Sequence, residues 1–310
     1  MTVFNIAVLG ECMVELQEHG EFLKKTMGGD TLNTATYTAR LTHENPIEVS
    51  YVTALGTDTF SEQMLNQWQK DHINTDLVLR LKNKQPGLYL IETDNTGERT
   101  FHYWRNDSAA KYIFDQPESP ALLEKLYHYD ALYLSGITLA ILTEHGREAL
   151  FTFLDKFQEK GGVVIFDNNY RPKLWESQEI AQKNYLAMLA KTNIALLTFD
   201  DEQDLYSDKD IDTCIKRTQE AGVKEIIIKR GSQDCLIVTS KGQVAVTPNH
   251  IDNVVDTTAA GDSFSAGYLA KRFCGGSPAE SAQVGHDLAG TVIQYPGAVI
   301  PNKAMPNIKL

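Results

Sequence analysis

Short apolar runs bounded by glycine or charged residues recur along the chain, alternating with longer stretches in which apolar residues return every three or four positions. Residues 3–10 read as a buried first strand, 12–16 and 22–24 as shorter strand-like pieces, and the paired glycines Gly28 and Gly29 open a helical stretch through Leu41. A strand over 48–56 precedes an amphipathic helix over about 60–71. Strands over 130–136, 162–166, 193–198 and 223–230 then alternate with helices over 143–160 and 177–191. Segments 235–239 and 244–247 form an antiparallel pair across Lys241-Gly242, and a last helix spans 281–295. Strand and helix alternating at this spacing predict an α/β fold with a mostly parallel sheet and helices on both faces.

The stretch 76–105 breaks that rhythm. Segments 87–92 and 99–104 are strand-like and flank the turn cluster Asp94-Asn95-Thr96-Gly97, which predicts a hairpin. Together with 11–27 it forms a small β-sheet lid, so that 1–310 is one domain carrying a lid from about 11–27 and 76–105. Strand alternation places Phe101, Tyr103 and Arg105 on one face and His102 and Trp104 on the other, and Tyr89 joins the first set. Phe101 reads as core packing. A guanidinium beside a phenol suits a carboxylate, so Tyr103 and Arg105 read as ligand-binding residues. The free edge of such a lid invites pairing with a second copy, and a homo-oligomer, as a dimer through the lid, is expected.

The run Asp256-Thr257-Thr258-Ala259-Ala260-Gly261-Asp262, followed by the helical Ser263 to Leu269, carries the chemistry. Ala259, Ala260 and Gly261 let backbone N–H groups at a helix start approach a ligand, and those groups with the helix dipole favour a phosphate. Asp262, in the first turn, is placed to remove a proton from an attacking hydroxyl. A capping role for Asp262 or Thr258 is the bland alternative. Near the other end, Gly28-Gly29-Asp30-Thr31-Leu32-Asn33 offers a carboxylate and an amide at i and i+3, the mixed donors and acceptors a polyol needs. Asp167-Asn168-Asn169-Tyr170-Arg171-Pro172 sits past a strand, where open α/β sheets bind ligands, and Arg171 before proline is held extended. Lys229, Gly231 and Ser232 close another strand within reach of a phosphate. Glu202, in Phe199-Asp200-Asp201-Glu202, is a candidate for holding Mg²⁺ through water, beside the plainer reading of an acidic helix start.

Composition narrows the function. At 310 residues and 42% hydrophobic the chain can bury a full core, and a formal net charge of -12 with no basic cluster argues against nucleic acid and anionic membranes. Cys12, Cys214, Cys235 and Cys274 make no C-x-x-C pair, which suits a reducing cytoplasm rather than a disulfide or metal framework. No apolar run reaches membrane-spanning length, and the first one reads as a strand rather than a signal peptide.

The run 256–269 and the Gly-Gly-Asp stretch at 28–33 resemble the two diagnostic motifs of the ribokinase-like (PfkB) carbohydrate kinases, in the same order, and the likeness covers essentially the whole chain. It implies a three-layer α/β/α fold and transfer of phosphate from ATP, with Mg²⁺, to a sugar hydroxyl. Asp262 is then the catalytic base, and Ala259, Ala260 and Gly261 form the anion hole. The sugar contacts fall to Gly28, Gly29, Asp30, Asn33, Tyr89, Tyr103, Arg105, Arg171 and Asp262. The nucleotide contacts fall to Asn169, Arg171, Lys229, Gly231, Ser232 and the 259–261 backbone. The family's Asn-x-x-Glu motif keeps its glutamate as Glu202, while Phe199 replaces the asparagine. No Walker A or G-x-G-x-x-G sequence is present, which discards P-loop and protein-kinase mechanisms. Two arginines converging with Tyr89 and Tyr103 predict a carboxylate on the sugar, and the motifs at 10–16, 28–33, 103–105 and 167–172 resemble the branch of the family that phosphorylates the 6-hydroxyl of 2-keto-3-deoxy sugar acids. A fructokinase- or ribokinase-type kinase of a neutral sugar is the alternative. Gly261-Asp262-Ser263 echoes an esterase nucleophile motif, but it stands late in the chain and His286-Asp287 has the wrong order and spacing. A sugar sensor has no need of a base at 262.

Overall fold

The computed structural model describes residues 3–93 and 99–310, so the turn expected at Asp94-Asn95-Thr96-Gly97 lies outside the described residues. In chain order the elements begin with β1 (Phe4–Leu9), β2 (Met13–His19), β3 (Phe22–Gly28), α1 (Asp30–Thr42), β4 (Ile47–Leu55) and α2 (Thr59–Lys70). Next come β5 (Ile73–Asn74), β6 (Val78–Arg80), β7 (Leu88–Thr93), β8 (Arg99–Trp104), α3 (Ser119–Leu126), β9 (Ala131–Ser135), α4 (Gly136–Ile141) and α5 (Glu144–Glu159). The chain continues with β10 (Val163–Asp167), α6 (Gln178–Leu189), β11 (Ile194–Thr198), α7 (Phe199–Tyr206), α8 (Ile211–Glu220) and β12 (Glu225–Lys229). It closes with β13 (Cys235–Thr239), β14 (Gly242–Val246), α9 (Ala260–Phe273) and α10 (Pro278–Val292).

The main sheet runs β14-β13-β12-β11-β10-β9-β1-β4-β5, with β6 also paired to β4. Pairing is parallel from β5 through β12, and β13 and β14 add an antiparallel edge. Alternation along β1 explains why both faces are covered. Ile6 and Val8 enter one core with Leu32 of α1, Trp68 of α2, Phe264 of α9 and Ala282 of α10, while Ala7 and Leu9 enter the other with Leu122, Leu139, Phe153, Tyr185, Leu205 and Ile215 of α3 to α8. Burying one large apolar side chain in this way contributes about 1.5–3 kcal/mol. Helices α9 and α10 pack backbone to backbone: a Cβ on Gly267 would lie 2.8 Å from the Val284 carbonyl oxygen, and one on Gly285 2.8 Å from that of Phe264.

The small sheet has the order β3-β2-β7-β8 and is mixed rather than purely antiparallel, because β2 and β7 run parallel. It is smaller than the expected lid. Residues 78–80 pair instead with β4, since Leu77 and Leu81 on either side are buried in the main core. Phe101 does not pack in a core as expected: it is 39% exposed and stacks with Tyr103, with the Tyr89 ring tilted 36° to it, on one face of this sheet. Among the described residues no helix is long and apolar enough to cross a membrane.

Candidate active site

Helix starts divide into two kinds. Asp58, Thr143, Ser177 and Asp210 accept backbone N–H bonds at the starts of α2, α5, α6 and α8, and Ser277 with Glu280 makes a capping box on α10. By contrast α1 starts after Gly29 and α9 after Ala259, and neither receives a side-chain cap from the described residues. Helices α3 and α7 also start without a side-chain cap but pack on the other face of the sheet, whereas α1 and α9 pack against each other, with the positive end of α9 turned to a ligand.

Asp262 is the third residue of α9, so it does not cap the helix as the bland reading had it. Its Oδ2 accepts from Asn33 Nδ2 at 2.8 Å, and its carbonyl oxygen lies 3.3 Å from Thr34 Oγ1. Burial, then the negative charge of Asp30, push the Asp262 carboxyl well above its ordinary range, while the Asn33 hydrogen bond and Lys229 pull it down. Asp30, the first residue of α1, is raised mainly by burial and held down by a hydrogen bond from Ser135; its Oδ2 accepts from Asn169 Nδ2 at 2.7 Å. Asn169, assigned from sequence to the nucleotide, is thus tied to Asp30. Two neighbouring carboxyl groups shifted upward suit a reaction in which one of them must take up a proton.

On the α9 side, the Lys229 ammonium, at the end of β12, lies 2.7 Å from Asp167 Oδ2. A Cβ built on Gly261 would lie 3.6 Å from Lys229 Nζ and within 4 Å of no other described atom, bonded neighbours and helix backbone aside, so packing does not require glycine there. Gly261→Ala is therefore expected to leave the melting temperature unchanged or slightly higher, alanine being the better helix former by about 1 kcal/mol, and to lower kcat at least about tenfold through crowding of the anion hole. Thermal unfolding and steady-state kinetics on the same preparation check it. Gly231, with φ +58°, and Ser232 lie on the exposed turn after β12.

Around the small sheet, Tyr89 is buried and its hydroxyl donates to Glu15, so it is not free for a ligand; it occupies the space a side chain at position 28 would need, with its oxygen 2.1 Å from a Cβ built on Gly28. Tyr103 is 52% exposed, and although burial raises its phenol, the charges of Arg105 and Arg171 pull it down; the Arg105 guanidinium lies 5.9 Å from the centre of its ring. Arg171 has the extended backbone expected before Pro172; its side chain is 52% exposed and lies 3.6 Å from Asp201. Arg105 is instead buried in an ion pair with Glu11, and Arg105 Nε and Glu11 Oε1 have no partner among the described residues. Glu11 stood inside a recognised motif without a role, and nothing local in the sequence pointed to this pairing.

Glu202 does not fit a metal site. It is buried, and its Oε1 accepts from Asn168 Nδ2 at 2.9 Å while Oε2 accepts from Arg217 Nη2 at 2.6 Å. Asp208 and Cys214 stand near it, but Arg217 already supplies the counter-charge.

The pattern of the pfkB family carbohydrate kinases matches residues 3–305. The 2-dehydro-3-deoxygluconokinase of Dickeya dadantii is 53% identical over 99% of this chain and 100% of its own, and that of Escherichia coli K12 is 53% identical over 97% and 99%. A crystal structure of 2-dehydro-3-deoxygluconokinase from Thermotoga maritima superposes with a TM-score of 0.84 at 20% identity, over 96% of this chain and 95% of that one. The ribokinase-like fold expected from the motifs is the fold observed. With the family pattern spanning nearly its full length and an aspartate placed beside an uncapped helix start, the chain belongs to the pfkB family of carbohydrate kinases.

Proposed function

We propose that this chain transfers the γ-phosphoryl group of ATP to the 6-hydroxyl of 2-keto-3-deoxy-D-gluconate, giving 2-keto-3-deoxy-6-phosphogluconate. The full-length likeness to 2-dehydro-3-deoxygluconokinases at 53% identity carries the reading. The sugar oxygen forms the new bond to phosphorus as the bond to the β–γ bridging oxygen breaks, ADP leaves, and the hydroxyl proton passes to Asp262. Asn33 Oδ1, buried with no partner among the described residues, offers an acceptor for a sugar hydroxyl, and Asp30 with Asn169 offers further polar groups. The backbone of 259–261 faces the phosphoryl group. Mg²⁺ brought in on the nucleotide would neutralise phosphate charge. We assign the sugar's carboxylate to Arg171 and to Arg105, whose charges both act at Tyr103, and a neutral sugar has no use for two guanidinium groups there.

We read 1–310 as one kinase domain whose small sheet closes over the sugar and excludes water, working in the cytoplasm, where its four free cysteines stay reduced. Strands β3 and β8 end that sheet, and exposed Phe22, Leu23 and Trp104 support pairing with a second copy. ADP release from Mg-ATP, measured with 2-keto-3-deoxygluconate, fructose, ribose and gluconate, tests the substrate: turnover is expected with the first, and turnover of fructose alone would end the assignment.

A further inference from the structure

Asp167, the last residue of β10, is 3% exposed and has no part in the chemistry above. Its Oδ2 accepts from three groups, Lys229 Nζ at 2.7 Å, Ser265 Oγ at 2.9 Å and the Tyr133 hydroxyl at 3.3 Å. Lys229 Nζ also lies 3.4 Å from Ser265 Oγ. An ammonium carries three protons, and these two contacts engage two of them. The remaining side of Nζ faces Gly261, across the gap that a side chain there would enter. Lysine is a flexible point charge on a four-carbon stem, so holding it at one place takes a fixed partner, and Asp167 stands on a central strand of the sheet.

We propose that Asp167 is a positioning residue that fixes Lys229 at the start of α9, where Lys229 acts as a catalytic residue by taking up charge on the phosphoryl group in transit. The assignment rests on the proposed phosphoryl transfer and adds a side-chain cation to the backbone amides of 259–261. A cation held in place before the reaction needs no reorganisation as charge moves from the leaving oxygen to the sugar side. The same frame holds the base: Thr34 Oγ1 lies 3.3 Å from both the Tyr133 hydroxyl and the Asp262 carbonyl oxygen, so ammonium and carboxylate are set relative to one another through β9, β10 and α1. Ser265 stands inside the 256–269 run without a role of its own there, and Tyr133 is a polar tip among apolar neighbours in its strand, so neither pointed to Asp167 in the sequence.

A double-variant cycle tests it. Lys229→Met is expected to lower kcat about 100- to 1000-fold, the loss typical of removing one preorganised donor, with KM for ATP and sugar within about threefold of the original. Asp167→Asn is expected to lower kcat at least about tenfold, and the double variant to lose no more than Lys229→Met alone, because both remove one device. Should Asp167→Asn fail to fold with its lysine left uncompensated, Asp167→Leu with Lys229→Met removes both buried charges together; its kcat is expected to match that of Lys229→Met. A folded Lys229→Met that keeps the parental kcat, or losses that multiply in the double variant, overturns the assignment. The cycle is run with whichever sugar the unmodified chain turns over, so a wrong acceptor shows in the parental assay and leaves this comparison intact.

Discussion

Asp262→Asn is expected to lower kcat by about 10²–10⁴-fold, the usual contribution of a positioned base, while leaving the chain at least as stable as before. The amide keeps the size of the carboxyl group and still accepts from Asn33 Nδ2 through its oxygen, but it carries no charge to be desolvated or repelled by Asp30. The pH dependence has a fixed sign. The folded Asp262 carboxyl titrates above its unfolded value, so the folded chain keeps that proton where the unfolded chain has lost it. The stability contributed by this group is complete below the unfolded value of about 3.9 and is lost as pH rises through the folded one. The stability advantage of Asp262→Asn is therefore smallest in acid and grows toward neutral pH. Thermal unfolding of both proteins across that range measures it, and an advantage that shrinks as pH rises contradicts the argument. In the unmodified enzyme, kcat falls on the acid side with a midpoint above the ordinary carboxylate range, a midpoint that belongs to the Asp30 and Asp262 pair together. Parental turnover by Asp262→Asn would remove the base from the mechanism.

Arg105→Ala and Arg171→Ala are expected to part company in stability while agreeing in specificity. Removing Arg105 leaves the buried Glu11 carboxylate without its counter-charge and costs about 3–5 kcal/mol. Arg171 is half exposed and only loosely paired with Asp201, so its removal stays within about 0.5 kcal/mol. Each loses a charge-assisted contact to the sugar's carboxylate, worth about 1.5–3 kcal/mol, and KM for the sugar acid rises roughly 10- to 100-fold. KM for a neutral sugar barely moves. Denaturant unfolding separates the two variants, and kinetics with 2-keto-3-deoxygluconate and fructose test what they share. An unchanged sugar-acid KM in Arg171→Ala, whose fold is not in question, would count against a carboxylated substrate and favour the neutral-sugar alternative.

Much of this protein is legible in short stretches of its sequence. A period of two in β1 and of three to four in α2 and α5 is written into consecutive residues, and the small residues at 259–261 ahead of a helical pattern mark an anion site without reference to anything distant. Some segments defeat that reading. Helix α7 (Phe199–Tyr206) is rich in acid residues with few apolar positions, so the sequence offers its acidic start as one reading among two, and its docking against α6 and β11 settles its course. Strand β6 has three residues and becomes a strand because β4 lies beside it.

Partners were the tertiary structure's decision. Asn33 and Asp262 are 229 residues apart, and Arg105 and Glu11 are 94 apart, yet each pair is in contact. The chain's pattern fixes which residues carry charge and which face of an element is buried; it says nothing about which charge meets which. Glu202 reads in the sequence as a group for Mg²⁺ through water or as an acidic helix start, and in the fold Asn168 and Arg217 take its two oxygens, while Lys229 acquires a direction only from Asp167. Periodicity and backbone freedom act over a few residues, whereas a buried charge is settled by whatever counter-charge the folded sheet brings within about 4 Å, and that depends on strand order.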